Sequence, residues 1–163
     1  MARYSATYSG ITAAAVADTV TFTAGQAPGF LRAAAGLTAR INEVYVGGED
    51  TASTPTTMIL ARTSTISVGA LSVGNNAPAD ASSTAPGTVT AWGSTAATTF
   101  PQRSSTLYLL QLSLNTFGGI ARWQARYGEE ITITGATATA GEVVLSSKVG
   151  TGKSSGHIIY EIV

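Results

Sequence analysis

The stretch ARINEVYVGGE, residues 39–49, decides the fold class of this chain. Its apolar residues Ile41, Val44 and Val46 stand among polar residues such as Asn42, and the run closes on two glycines and an acid. β-Branched residues interleaved with polar ones are typical of a strand that buries one side and exposes the other. Glycine is common where a strand gives way to a turn. The stretch therefore predicts a β-strand followed by a turn.

The same composition recurs along the chain. Further runs are rich in β-branched or aromatic residues and are bounded by Gly, Pro, Asn or Ser, and together they predict eight to ten strands. The one helical candidate is GFLRAAAGL, residues 29–37, for which a β-bulge or a loop is an equal alternative. The strand-like runs are DTVTFTA (18–24), TMILARTS (57–64), STLYLLQLSLN (105–115), GIARWQARYG (119–128), EEITITGA (129–136), EVVLSSKVG (142–150) and GHIIYEIV (156–163).

These runs predict an all-β chain forming one domain over residues 1–163. Antiparallel strands of this number pack as a sandwich, a jelly roll or a barrel. We expect a single antiparallel β-sandwich that is jelly-roll-like. Residues 1–17 are predicted to form either an N-terminal arm or the first strand of the sandwich. Residues 69–103, rich in Ala, Ser, Thr, Gly and Pro, are predicted to form one long loop or arm.

Two large aromatic residues, Trp92 and Phe100, interrupt this small-residue segment. Disordered linkers seldom carry such residues. One interpretation is an arm whose aromatic side chains dock on a neighbouring molecule. The other is a loop folded over its own sheet, with both side chains closing the end of the core.

The composition restricts the classes of function. Charged residues make up 11% of the chain, against about 25% in typical soluble domains. Low charge density favours a protein that spends its life docked in an assembly, because interface cores are depleted of charge. The net charge is +0, which argues against a protein that packages nucleic acid. No run of about twenty apolar residues predicts a membrane span, and the chain has no cysteine.

The stretch KVGTGKSSGH, residues 148–157, has the look of a phosphate-binding loop. The P-loop pattern requires glycine where this chain has Ser147, and it requires a helix after the loop. In this chain the segment that follows, residues 156–163, is strand-like. We therefore predict a turn that joins residues 142–148 to 156–163 as a hairpin, with no nucleotide bound.

Catalytic and metal-binding patterns are missing from the sequence. His157 has no second His or Cys for a zinc site. Glu129 and Glu130 are adjacent, so in a strand they would point to opposite faces and form no carboxylate pair. The GGED turn, residues 47–50, lacks the ligand number of a calcium loop. We therefore predict a non-enzymatic protein with no catalytic residues, cofactor or metal.

Residues 117–130, FGGIARWQARYGEE, form the most suggestive strand. One face carries Arg122 and Arg126, and the other carries Trp123 and Tyr127. The simpler interpretation places the two aromatic side chains in the core. Arg122 and Arg126 are candidate interface anchors, because Arg is enriched where binding energy concentrates.

Three segments of the chain together resemble a known family. They are INEVYVGGEDTASTPTTMILARTST (41–65), LLQLSLNTFGGIARWQARYGEEITITG (109–135) and GEVVLSSKVGTGKSSGHIIYEIV (141–163). This order of strand-like and turn-like stretches resembles that of the small jelly-roll capsid decoration, or cement, proteins of tailed bacteriophages. The resemblance implies a homotrimer, made in the host cytoplasm and seated on the outer capsid surface of the virion. The implied partner is the major capsid protein, with no nucleic acid and no membrane.

The candidate interface residues are mainly Arg and aromatic residues from the predicted arms and strands. An N-terminal stretch that adds a strand to a neighbouring sheet edge would supply the first three. The full set is Arg3, Tyr4, Tyr8, Phe30, Arg32, Trp92, Phe100, Arg103, Arg122 and Arg126.

Other functions stay open at this point. The chain could be a different virion component, such as a head fibre, a neck or tail protein, or a coat protein. It could also be a carbohydrate-binding or receptor-binding jelly roll, for which Trp92 with Asn75 and Asn76 is the nearest feature. An enzyme is the weakest alternative, since His157 is the only imidazole.

Overall fold

The computed structural model describes residues 2–23, 26–66, 75–82, 100–135, 137 and 141–163. Over these ranges the chain is all-β and antiparallel, with ten strands and no helix, so none that could cross a membrane. The strands are β1 (Ala2–Ala13), β2 (Gly29–Arg32), β3 (Thr38–Gly48), β4 (Pro55–Thr65), β5 (Asn75–Pro78), β6 (Gln102–Asn115), β7 (Ile120–Gln124), β8 (Ile131–Thr134), β9 (Glu142–Val149) and β10 (Gly152–Ile162).

The strands form two sheets. The first sheet has the order β5-β1-β10-β3-β7, with β8 also paired to β3, and the second has the order β2-β9-β4-β6. Apolar residues of both sheets share one core, so the sheets pack face to face as layers of a β-sandwich. The prediction of a single antiparallel β-sandwich with eight to ten strands is confirmed.

The strand pairs are nested within one another. β1 pairs with β10, β2 with β9, β3 with β7 and β8, and β4 with β6, all antiparallel. The chain thus runs out and back like one long hairpin, whose tip lies between β4 and β6. This hairpin is wrapped into two layers, so successive parts of it alternate between the sheets.

The main core lies between the sheets. It follows from the period of two along the strands, which sends alternate residues inward. On β3, Ile41, Val44 and Val46 are fully buried, as residues 39–49 predicted; a shift in the pairing with β10 between Ile41 and Glu43 explains why Ile41 and Val44 share the buried face although they are three residues apart. Tyr4 of β1 stacks on Tyr160 of β10 with ring centroids 5.5 Å apart. The central strands β1 and β10 therefore each carry a tyrosine ring into the core.

A second apolar cluster lies on the opposite side of the second sheet. Phe22 belongs to the segment that follows β1, and it packs there with Phe30 and Val144. Their sequence neighbours Leu31 and Val143 belong to the main core, so the cluster sits on the outer face of this sheet. The segment covers that face, which explains why β9 is buried at six successive positions.

Two local predictions are wrong, and for residues 29–37 the structure excludes the helical alternative. Residues 29–37 contain strand β2 rather than a helix, because Phe30 and Leu31 are each needed by a different apolar cluster. Of the run 18–24, residues 18–23 are described and form no strand; Thr21 makes only an isolated bridge to Gln102. Residues 148–157 include a turn at Gly150, yet the flanking strands lie in different sheets and form no hairpin.

Candidate interaction sites

The outer face of the first sheet carries a polar row across four strands. Thr7 on β1, His157 on β10, Tyr45 on β3 and Arg122 on β7 are successive cross-strand partners. The rings of Tyr45 and His157 are stacked, with centroids 5.2 Å apart and an interplanar angle of 11°. The row therefore presents a flat, partly aromatic surface with one cation at its edge.

Glu43 of β3 is the hub of this face. Its two carboxylate oxygens accept hydrogen bonds from Nε and Nη2 of Arg122, at 3.1 and 2.8 Å. Oε1 also lies 3.0 Å from Nε2 of His157. The hydrogen bond from Arg122 lowers the pKa of Glu43, with a smaller contribution from His157, against the opposing effect of burial. The ionised carboxylate holds Arg122 in place, although 54% of the Arg122 side chain is exposed.

Arg103 forms the centre of a second polar network, in the second sheet. Its side chain is fully buried, and its Nε donates to Oδ1 of Asp18 at 2.7 Å. Nη1 donates to Oγ of Ser146 at 2.8 Å and to the carbonyl of Ser147 at 3.2 Å, and Nη2 donates to the carbonyl of Val16. A buried guanidinium with this many acceptors fastens the covering segment to β6 and β9.

Asp18 lies at the edge of this network, where its side chain is partly exposed to solvent. Its carboxylate also accepts hydrogen bonds from the Tyr108 hydroxyl and from Nζ of Lys148, the latter at 2.6 Å. Burial raises the pKa of Asp18, but hydrogen bonds from Lys148, Tyr108 and Arg103 outweigh it and hold the pKa at about 2. The next residue, Thr19, has φ of 62°, a conformation that β-branched residues rarely adopt. The network therefore also holds a strained turn.

The second network also sets the protonation state of Lys148. The carboxylate of Asp18 raises the pKa of Lys148, so the amine is protonated and is no nucleophile.

In the turn after β3, Asp50 accepts hydrogen bonds from Thr116 and from the backbone of Lys153, while Glu49 accepts one from Ser155. Across the described ranges, no three Asp, Glu or His side chains are grouped to hold a metal ion.

Four of the predicted interface residues are buried within the chain. Tyr4 lies in the main core, and so does Tyr8, whose hydroxyl is 3.4 Å from Oγ of Ser154. Burial raises the pKa of Tyr8 to about 12. Phe30 lies in the second cluster, and Arg103 lies in the network with Asp18. Their side chains stabilise the fold and present no surface to a partner.

The remaining predicted interface residues within the described ranges lie on different elements of the chain. Arg3 is exposed on β1 and pairs with Glu161 at 3.5 Å, and Arg126 is exposed after β7. Arg32 is half-buried on β2. Phe100 is half-buried and packs edge-on against Phe30, with centroids 6.0 Å apart. Trp92 lies outside the described residues.

The strand after the β6–β7 turn only partly matches its prediction. Trp123 is half-buried and packs against the main core as expected. Tyr127 is fully exposed, because β7 ends at Gln124 and the chain turns away from the sheet before reaching it. The period of two applies only while the chain remains in the strand.

Comparison of the chain with protein-family models, with curated proteins and with solved structures found no match.

Proposed function

We propose that this chain is a non-enzymatic structural protein of a virion, a capsid decoration protein that binds the major capsid protein lattice and stabilises the head. The observation that carries the proposal is strand β6 at the edge of the second sheet. Apart from a bridge between Gln102 and Thr21 and a hydrogen bond from the backbone N–H of Thr19 to the carbonyl of Arg103, both at the start of the strand, the far side of β6 pairs with no other described residue.

The edge of β6 is long and free of charge. From Ser104 to Asn115 the strand has no Lys, Arg, Asp, Glu or Pro. Its irregular register against β4 is confined to the part before Leu110, and pairing is regular from Leu110 to Asn115. Monomeric proteins protect such edges with charges, prolines or bulges, because an open edge accepts another strand. This regular, uncharged edge supports a role in which the chain docks onto a neighbouring molecule.

The strand order supports the jelly-roll part of the proposal. Jelly rolls are double-sheet folds of about eight strands that occur in viral capsid domains and in lectins. The nested pairs of this chain, wrapped into two layers, agree with that architecture. The resemblance in sequence to decoration proteins and the 11% content of charged residues point the same way.

The mechanism we propose is preferential binding to the assembled lattice. A protein that binds the assembled shell and not free subunits stabilises the shell in proportion to its affinity and concentration. A homotrimer, as the resemblance implies, would strengthen weak contacts by presenting several at once. The β6 edge would contribute main-chain hydrogen bonds that need no charged partner.

Light scattering of the purified protein, followed by co-sedimentation with undecorated heads of the virus that encodes it, tests the proposal. We expect an oligomer that sediments with the heads and raises their melting temperature. A monomer that stays in the supernatant would contradict the proposal.

A pair of charge variants then tests the β6 edge. The variant Gln111→Lys with Ser113→Lys places two charges on exposed side chains of the regular part of β6. We expect it to remain folded and to lose co-sedimentation. The matched control, Ser9→Lys with Thr12→Lys, adds the same charge to exposed positions of β1 and should still bind. Equal binding of both variants would show that the β6 edge is not part of the docking surface.

A further inference from the structure

A polar cleft of about 330 Å³ lies on the outer face of the first sheet, where the segment after β7 passes β3 and β10. Its volume is at the lower end of the roughly 300–1,000 Å³ usual for small-ligand sites. A smaller cleft of about 250 Å³ adjoins it and shares Arg40, Tyr127 and Glu130. All the lining residues belong to the described part of the chain.

Tyr127 stands at the rim of both clefts. It lies in a tight turn in which the backbone N–H of Glu129 donates to the carbonyl of Arg126 at 2.9 Å. The φ of 85° at Gly128 completes the turn. The Tyr127 side chain is fully exposed and packs on no core residue. The turn thus presents an aromatic ring whose apolar face is available to a ligand.

The cleft also contains unused hydrogen-bonding groups. Asn42 of β3 and Gln124 of β7 line it, and over the described ranges neither side-chain amide hydrogen-bonds another group. The carboxylate of Glu130 accepts a hydrogen bond from the backbone N–H of Gly128 at 3.1 Å, which fixes its position. Each of these planar groups can bind two neighbouring hydroxyls of one ligand.

The charges of the cleft are balanced. Arg3 and Arg40 supply two positive charges, and Glu130 and Glu161 supply two negative ones. The two carboxylates disfavour phosphate, sulfate and nucleic acid, and the two guanidinium groups disfavour a metal cation. The polar lining disfavours a lipid. A neutral ligand with many hydroxyl groups and an apolar face fits this lining of balanced charges, amides and one exposed aromatic ring.

We infer that this cleft is a saccharide-binding site, in which a sugar ring stacks on Tyr127 and its hydroxyls hydrogen-bond Asn42, Gln124 and the charged groups. This role goes beyond capsid binding and does not depend on it. The cleft lies on the first sheet, whereas the proposed docking edge is β6 of the second.

Binding of the full-length protein to a printed array of bacterial surface oligosaccharides tests the inference, followed by NMR titration of the best-bound oligosaccharide. We expect saturable binding, with shifts of the side-chain amide signals of Asn42 and Gln124. Tyr127→Ala should weaken binding about tenfold or more, because aromatic stacking is lost. Tyr127→Phe, which keeps the ring, should bind within a few-fold of the native protein.

Phe117→Ala is the matched control. Phe117 is another exposed aromatic side chain, 62% accessible, and it lies in the β6–β7 turn at the opposite end of β7. Its replacement should leave binding unchanged. Failure of the native protein to bind any oligosaccharide at millimolar concentration would overturn the inference. Equal affinity of Tyr127→Ala and Phe117→Ala would overturn the assignment of the cleft.

Discussion

The two outer faces of the sandwich differ in whether a described segment of the chain packs over them. The outer face of the second sheet is covered by the segment after β1, which packs Phe22 against Phe30 and is fastened by Arg103. On the outer face of the first sheet, none of the described segments covers Glu43 and Arg122 in this way, and polar side chains pair there with one another. The covered face thus uses a buried charge to hold a segment in place, and the open face uses partly exposed charges to organise a surface.

This comparison predicts that polar substitutions cost far more on the covered face. The largest effect is expected for Arg103→Ala. Removing the guanidinium leaves Asp18 and the carbonyl of Val16 without their buried donor. Breaking a buried ion pair from one side costs about 3–5 kcal/mol, so the free energy of unfolding should fall by about that amount.

Urea denaturation measures this loss. Arg126→Ala is the control, because Arg126 is exposed beyond β7 and its replacement should change stability by less than about 0.5 kcal/mol. Similar losses in the two variants would mean that the Arg103 network does not hold the cover.

The second effect is a dependence of stability on pH through Asp18. Its pKa falls from 3.8 in the unfolded chain to about 2 in the folded protein. The carboxylate therefore stabilises the fold above about pH 4, and this contribution is lost as the pH falls from about 4 to about 2. The loss should reach about 2 kcal/mol.

Urea titrations at pH 5, 4, 3 and 2 measure the dependence. Asp18→Asn should be less stable than the native protein at pH 5, and the two should converge toward pH 2. Parallel curves for both proteins over the whole range would assign the acid sensitivity to other carboxylates.

The smallest effect is expected on the open face, for Glu43→Gln. The amide keeps the shape of the side chain and one acceptor for Arg122, but it loses the ionic part of the interaction. Ion pairs with an exposed partner contribute little, so the free energy of unfolding should fall by less than about 1 kcal/mol. Thermal unfolding of the variant measures this fall in stability. A loss as large as that of Arg103→Ala would mean that polar contacts stabilise the two faces equally.

The sequence allowed the strands to be predicted where burial has a period of two. β3 and β10 follow their apolar residues closely, because one face of each lies on the main core. β2 was not predicted, because the AAAG stretch that follows favours a local turn of helix and left helix, β-bulge and loop open, whereas Phe30 and Leu31 each pack in a different apolar cluster. Local preference is overruled where tertiary burial is this extensive.

The polar networks could not be predicted from spacing. Asp18 and Lys148 are 130 residues apart, and Glu43 and His157 are 114 apart. Only the register of the strands brings them together, and the sequence does not contain that register in any local pattern. Tyr127 carried a weak signal, since RYGE is turn-like, and a residue in such a turn does not follow the alternation of the strand before it.

The nested strand order has a consequence for how the protein folds. β10 lies between β1 and β3, and its pairing joins Ala2 to Ile162, almost the full length of the chain apart. During synthesis the first sheet therefore has two open edges facing a gap until the last strand arrives. Folds that depend on such distant pairing fold slowly and are exposed to aggregation meanwhile. β10 completes the first sheet. A chain that ended before β10 would leave β1 and β3 without a shared partner and their edges open to aggregation, which is a larger effect than the loss of a few residues suggests.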